Sequence, residues 1–268
     1  MPPRQERGTP RMTIAAGFLC DDGIVIAADS EVQAGSDKHH ESKIFTLHPD
    51  NIALNPMAVF AGSGWLDFVR MAVDKIRHRA LGVSHSYEIE EIIETTVLEI
   101  HRKHIRFYPT SPKPYFSLIV GLRDEDGSLR IVETSGTSIT RVPQQVCIGA
   151  GQTLGSYLSR ALNSDGLSVD TTAMLATQIL DQVKKNVPEC GGMFSDVVIL
   201  PKQGPVRRLS PSRILKIEHL TADLVAVLRP SLLALSNPSI TDAEFDVELD
   251  NLNVQCRKMR EQQKRKIS

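Results

Sequence analysis

The sequence has no closely spaced cysteines. Its four, Cys20, Cys147, Cys190 and Cys256, are scattered with no CxxC pair, so no zinc site is expected and a reducing, cytoplasmic setting is. No apolar run approaches the ~20 residues that a helix needs to span a bilayer, and no membrane partner is expected. The opening MPPRQERGTPR is charged and proline-containing with no apolar stretch behind it, which does not read as a secretory signal. Charge of one sign is not in excess either: 31 basic against 32 acidic side chains leave a net charge of −1. Nothing electrostatic therefore favours a nucleic acid. Eight histidines include His39-His40, but without ligand-spaced neighbours these suit a solvated loop, and no metal is expected. There is no internal repeat or low-complexity tract. What is present is 268 residues, 41% hydrophobic and 24% charged, enough for one large domain or two small ones.

From Thr13 the pattern reads as strand, turn, strand. TIAAGFLC precedes Asp21-Asp22-Gly23, and Ile24 to Ala28 is apolar; Asp-Gly between such runs predicts a hairpin. Short strands are predicted at 43–47 and 58–62. Trp65, Phe68, Val69, Ala72, Val73 and Ile76 then share one helical face. A second helix is predicted from Tyr87, burying Ile89, Ile92, Ile93, Val97 and Ile100. Strands return at 116–122, 128–134 and within 137–148. Helices follow at 152–164 and 170–187, and SDVVIL (195–200) is the last core strand. Strands, two helices, strands, two helices, strand is not the alternation of a doubly wound parallel sheet. It fits antiparallel sheets stacked face to face with helices on both outer faces, an α+β, four-layer αββα sandwich.

Beyond Pro201 the composition changes. QGPVRRLSPS reads as a linker or surface strand, and 214–228 as a helix ending at Arg229-Pro230. The segment 241–266 reads as an amphipathic helix with Phe245, Leu249, Leu252, Cys256 and Met259 on one stripe. Acids crowd its start and bases its end, which suits the helix dipole. Such a seam should be covered, by the chain's own sandwich or by a neighbouring subunit, and the latter is the expectation. The domains expected are an N-terminal extension at 1–12, a core at 13–200 and a C-terminal helical extension at 201–268.

The stretch Thr13, Ala27-Ala28-Asp29, Lys43-Ile44 and Ala61-Gly62 ahead of Trp65 resembles the amino-terminal half of proteasome β-type subunits and of the related bacterial two-ring protease. Taken singly, each residue has an ordinary reading: strand entry, turn cap, edge charge, tight turn. It is the four together, in family order, that carry the resemblance, which extends over about residues 13–200. It implies the N-terminal-nucleophile hydrolase fold and a threonine endopeptidase. Thr13 would be the nucleophile and its own α-amine the base, since a free α-amine titrates near neutral pH. Lys43 would favour the alkoxide, Asp29 would position Lys43, and the Gly62 N–H would face the oxyanion. Val32, Glu41, Phe45, Phe60 and Gly64 would line the specificity pocket, with Glu41 favouring a basic or polar group. No cofactor is implied. The partners implied are a peptide or unfolded protein substrate, further copies of the chain in a ring or related oligomer, and an ATP-dependent unfoldase.

The same residues leave open a non-catalytic subunit, or a non-peptide amidase of the same class. Several features depart from the family pattern. Met12 stands where self-processing members carry Gly, so exposure of Thr13 is expected by initiator-methionine removal from a start at Met12. Gly149-Ala150-Gly151 lacks the hydroxyl of the usual Gly-Ser-Gly turn. Val187 and Cys190 replace the Asp and Ser of a later supporting element, and the chain continues well past the last core strand.

Overall fold

A computed structural model describes residues 13–34, 37–47, 57–83, 85–109, 111–162 and 166–267. The expectations about Met12 and the segment 1–12 lie outside these residues. The chain divides into two units, one ending at Ile214 and one formed by Leu215–Ser268.

In the first unit, β1 (Ile14–Cys20) and β2 (Gly23–Asp29) form the hairpin that Asp22-Gly23 signals, with Ala15 opposite Ala28. The first sheet has the order β10-β1-β2-β11-β12, with β10 at Gln145–Gly149, β11 at Ser195–Pro201 and β12 at Arg207–Arg208. The second is β5-β6-β7-β8-β9: Ile44–Thr46, Met57–Gly64, Phe116–Arg123, Leu129–Ser135 and Ser138–Val142. All pairings are antiparallel.

Between the sheets lie Ala15, Ile24, Ile26, Ala28, Ile44, Val59, Ala61, Ile119, Ile148 and Val198. The outer face of the second sheet gives Phe60, Leu118, Val120 and Val132 to a core shared with α1 (Leu66–Arg79) and α2 (Ser86–Ile100). α3 (Gln152–Leu162) and α4 (Val169–Asn186) cover the first sheet. β2 is buried along its whole length, which is why GIVIAAD shows no polar alternation: both faces of the strand are covered. The four-layer sandwich of the sequence reading is the fold.

Local chemistry explains the element ends. His85 and Glu88 cap the start of α2 reciprocally, and the Ser168 hydroxyl accepts from the Thr171 N–H at the start of α4. Trp65 belongs to no helix. It caps α1 in extended conformation, its ring edge-on to Tyr108 at 5.3 Å.

The expectation for His39-His40 needs correction. His39-His40 is no loop: β3 (Glu31–Ala34) and β4 (Asp37–His40) pair as a two-stranded ribbon, and DKHH is wholly polar, with no apolar alternation to reveal a strand. α2 continues into a wider turn of π type at His101–Ile105. After Pro201 the surface-strand reading is the one the structure takes. β12 pairs with β11, and Leu209 and Ile214 are buried.

In the second unit α5 (Pro211–Ser236), which begins within the first, does not stop at Arg229 but runs through Pro230. α6 (Asp242–Ile267) follows. The Ser231 hydroxyl donates to the Glu248 carbonyl of α6 at 3.3 Å. Phe245, Leu252, Cys256 and Met259 are half-buried, and Leu249 is exposed.

Candidate active site

The hairpin register places Thr13, just before β1, and Asp29, the last residue of β2, at the same end of the first sheet. Lys43 immediately precedes β5 of the second sheet. The two sheets therefore bring the three side chains together from separate layers. The Lys43 ammonium donates to Thr13 Oγ1 at 2.5 Å and to Asp29 Oδ1 at 2.7 Å. Thr13, Asp29 and Lys43 are 4%, 0% and 5% exposed. At that depth water screens the charges weakly and the contacts are strong.

Asp29 Oδ2 accepts the Gly191 N–H at 3.1 Å. Burial pushes the Asp29 carboxyl above the usual carboxylate range, while the Lys43 ammonium and the Gly191 and Ile14 N–H groups pull it back. The loop carrying Gly191 is itself fixed to the end of β2. Ser30 Oγ donates to the Phe194 carbonyl at 2.7 Å, and the Glu31 N–H to the Gly191 carbonyl at 3.3 Å. Cys190, in the same loop, is buried, and desolvation raises its thiol to about 12. It therefore stays a neutral thiol beside the pair.

Gly62 lies on β6 beside the cluster. Its N–H points at the Lys43 carbonyl across 3.4 Å, continuing the β5–β6 ladder, a long contact for an N–H···O bond. An oxyanion role for this N–H requires that contact to give way. A Cβ at Gly62 would meet Val69 Cγ1 at 2.2 Å, so the close packing of α1 already demands glycine here. Gly149 has φ +99°, and a Cβ there would lie 1.8 Å from the Thr13 carbonyl oxygen and 2.7 Å from Ser63 Oγ. Only glycine lets the end of β10 reach Thr13.

Three residues of this centre escape sequence reasoning. Gly191 follows Cys190, which was noted only as a departure from the family pattern, and Gly149 appeared only as the flank of a missing serine. Ser63 had one readable signal: strand alternation puts it on the face of Ala61, between the sheets. Of the residues assigned to a specificity pocket, Phe60 is fully buried under α1 and Phe45 is half-buried beneath the Arg77 guanidinium. Glu41 forms a two-oxygen ion pair with Arg70. Its charge is matched within the protein, which removes the basis for expecting it to select basic groups. The 430 Å³ cleft lined by Leu19, Cys20, Asp21, Thr172 and Lys202 lies at the far end of the hairpin and contains none of these residues.

Stacked antiparallel sheets between helical layers, with a threonine, a lysine and a carboxylate meeting at the head of the first strand, define the N-terminal-nucleophile hydrolase fold. The chain belongs to the proteasome subunit family, whose profile matches residues 11–198. Solved structures with this fold include Anbu (ancestral beta-subunit) from Yersinia bercovieri, with 17% identity, TM-score 0.67 and coverage of 85% of this chain and 99% of that one. Anbu from Hyphomicrobium sp. strain MC1 matches with 15% identity and TM-score 0.68 over 85% of this chain and 100% of its own. Comparison with curated proteins gives no match.

Proposed function

We propose that this protein is a threonine peptidase in which Thr13, exposed as the chain terminus, attacks a peptide carbonyl. The observation that carries the reading is the buried contact of Lys43 with both Thr13 Oγ1 and Asp29. A hydroxyl is a weak nucleophile until a base takes its proton. The α-amine of a terminal Thr13 is that base, and the adjacent Lys43 charge stabilises the alkoxide and disfavours a second cation on the amine. Attack of Oγ1 gives a tetrahedral intermediate. Its collapse transfers the amine's proton to the leaving nitrogen and leaves an ester on Thr13, which water hydrolyses. The name ancestral beta-subunit, borne by the Yersinia bercovieri neighbour, supports a β-type subunit working among copies of itself.

The test is threefold: intact mass of protein from its native host, labelling with a peptide vinyl sulfone, and turnover of a peptide reporter panel. The expected mass corresponds to a chain starting at Thr13. Thr13→Ala and Lys43→Ala should each abolish labelling and turnover, and Asp29→Asn should reduce turnover less, the losses being non-additive. Full turnover by Thr13→Ala would overturn the nucleophile assignment. A terminus upstream of Thr13 on protein that neither labels nor turns over would favour a non-catalytic subunit.

A further inference from the structure

Among the described residues two buried side-chain polar atoms lack a hydrogen-bond partner, His101 Nε2 and Ser63 Oγ. His101 lies in an aromatic cluster on the outer helical layer, stacked on Phe116. Ser63 is 2% exposed and stands at the centre just described, its hydroxyl and the Thr13 carbonyl converging on the point that a Gly149 side chain would fill. The neighbouring groups are engaged. Asp29 accepts from Lys43 and Gly191, Thr13 Oγ1 accepts from Lys43, and Ser30 donates to Phe194. A hydroxyl kept dry and unpaired is penalised, so its retention at this place calls for a group that arrives later.

One such group follows from the chemistry of Thr13. While Thr13 is joined to Met12 its nitrogen is an amide; when the chain starts at Thr13 the same nitrogen is an amine with further N–H bonds, in a site almost closed to water. We infer that Ser63 is a positioning residue whose hydroxyl accepts a hydrogen bond from the free α-amine of Thr13. This rests on the reading of Thr13 as a terminal nucleophile and deepens it. Holding one N–H on Ser63 leaves the nitrogen lone pair free to turn towards Oγ1, whose proton it takes as the O–C bond to substrate forms. The turn Gly149-Ala150-Gly151 offers no side-chain hydroxyl, and Ser63 supplies one from β6 of the other sheet.

The amine's titration tests this without relying on catalysis. A chain translated from Met12 and trimmed to Thr13 is acetylated with trace acetic anhydride across pH 5–10, and modification of the peptide beginning at Thr13 is read by mass. A hydroxyl accepting from the amine favours its charged form, so Ser63→Ala should lower the midpoint by roughly one unit. Ser63→Cys, close in size but a weak acceptor, should shift it the same way, and Ser63→Thr should restore it. In turnover, the acidic limb of the pH profile should move down with the midpoint. In the full chain, where the amine is absent, Ser63→Ala should leave the unfolding temperature unchanged or raise it. Unchanged midpoints in both Ser63→Ala and Ser63→Cys would overturn the inference. If the wild-type protein fails to turn over peptide while its amine shift persists, the peptidase reading falls and this one stands.

Discussion

The Asp29–Lys43 pair decides most at the scale of single residues. Two charges buried this deeply are each expensive, and the arrangement holds only while they face one another. Removing Lys43 leaves Asp29 with the Gly191 and Ile14 N–H groups and no cation. Burial then dominates, and the folded-state pKa rises further above the unfolded value. A carboxyl raised on folding favours the native state only while protonated, so the stability deficit of Lys43→Ala should widen as pH rises above the unfolded carboxyl value. Unfolding temperatures of Lys43→Ala and of the double variant with Asp29→Asn check this. The double variant, with no carboxyl left to titrate at this position, should show no widening of its deficit as pH rises. A deficit in Lys43→Ala that stayed flat with pH would show that Lys43 does not shift the Asp29 carboxyl. Thr13, Asp29 and Lys43 were readable because they recur in order along one stretch. For Ser63 only the inward-facing position on its strand was readable, because nothing local marks the function of a lone serine.

At the scale of elements, α1 and α2 are joined by Glu99, which accepts from Lys75, Arg79 and Lys103. These contacts lower its carboxyl from 4.5 to about 2. A carboxyl depressed on folding contributes stability that is complete above the unfolded pKa and lost as pH falls through the folded one. The window here is pH 4.5 down to 2. Glu99→Gln should therefore lose stability at pH 7 and little at pH 2, so the acid limb of its unfolding temperature should be shallower than in wild type. Parallel limbs would show that the three cations do not act through Glu99. The helices themselves were legible from their stripes, since Phe68, Val69, Ala72, Val73 and Ile76 are all buried. The ends were less so. Pro230 reads as a stop because it lacks an N–H and crowds the preceding turn, yet α5 continues past it. A single missing bond does not end a helix flanked on both sides by helix-forming sequence. The β3–β4 ribbon escaped for the opposite reason: DKHH pairs as a strand with no apolar residue to mark it.

At the scale of the whole molecule, the segment after Ile214 carries many exposed apolar side chains. Val225, Leu232, Leu233, Leu235, Val247, Leu249 and Val254 are each at least 43% exposed. Single exposed aliphatics are ordinary, but so many on two helices mark an interaction surface. Under the proposed function, the occupant expected is another copy of the chain. Leu233→Glu combined with Val247→Glu alters two exposed positions, 60% and 58% open, so each unit should still fold. The expected result is a smaller sedimenting species with an unchanged unfolding temperature. An unchanged sedimentation coefficient would remove the surface from any role in assembly.

The sequence by itself determined which segments are buried and in what order they come. An apolar run covered on two faces and a helical stripe covered on one are local patterns, set by periods of two and 3.6 residues. It also carried Thr13, Asp29 and Lys43, which sit at the ends of elements that the pattern locates. Only the tertiary structure decided what meets at those ends. Ser63 and Gly149 come to Thr13 because two sheets stack, Gly191 reaches Asp29 because a distant loop is tied to Ser30, and Arg70 neutralises Glu41 from a helix in another layer. These contacts depend on how layers are registered against one another, and nothing in the spacing of residues along a single strand or helix records that register.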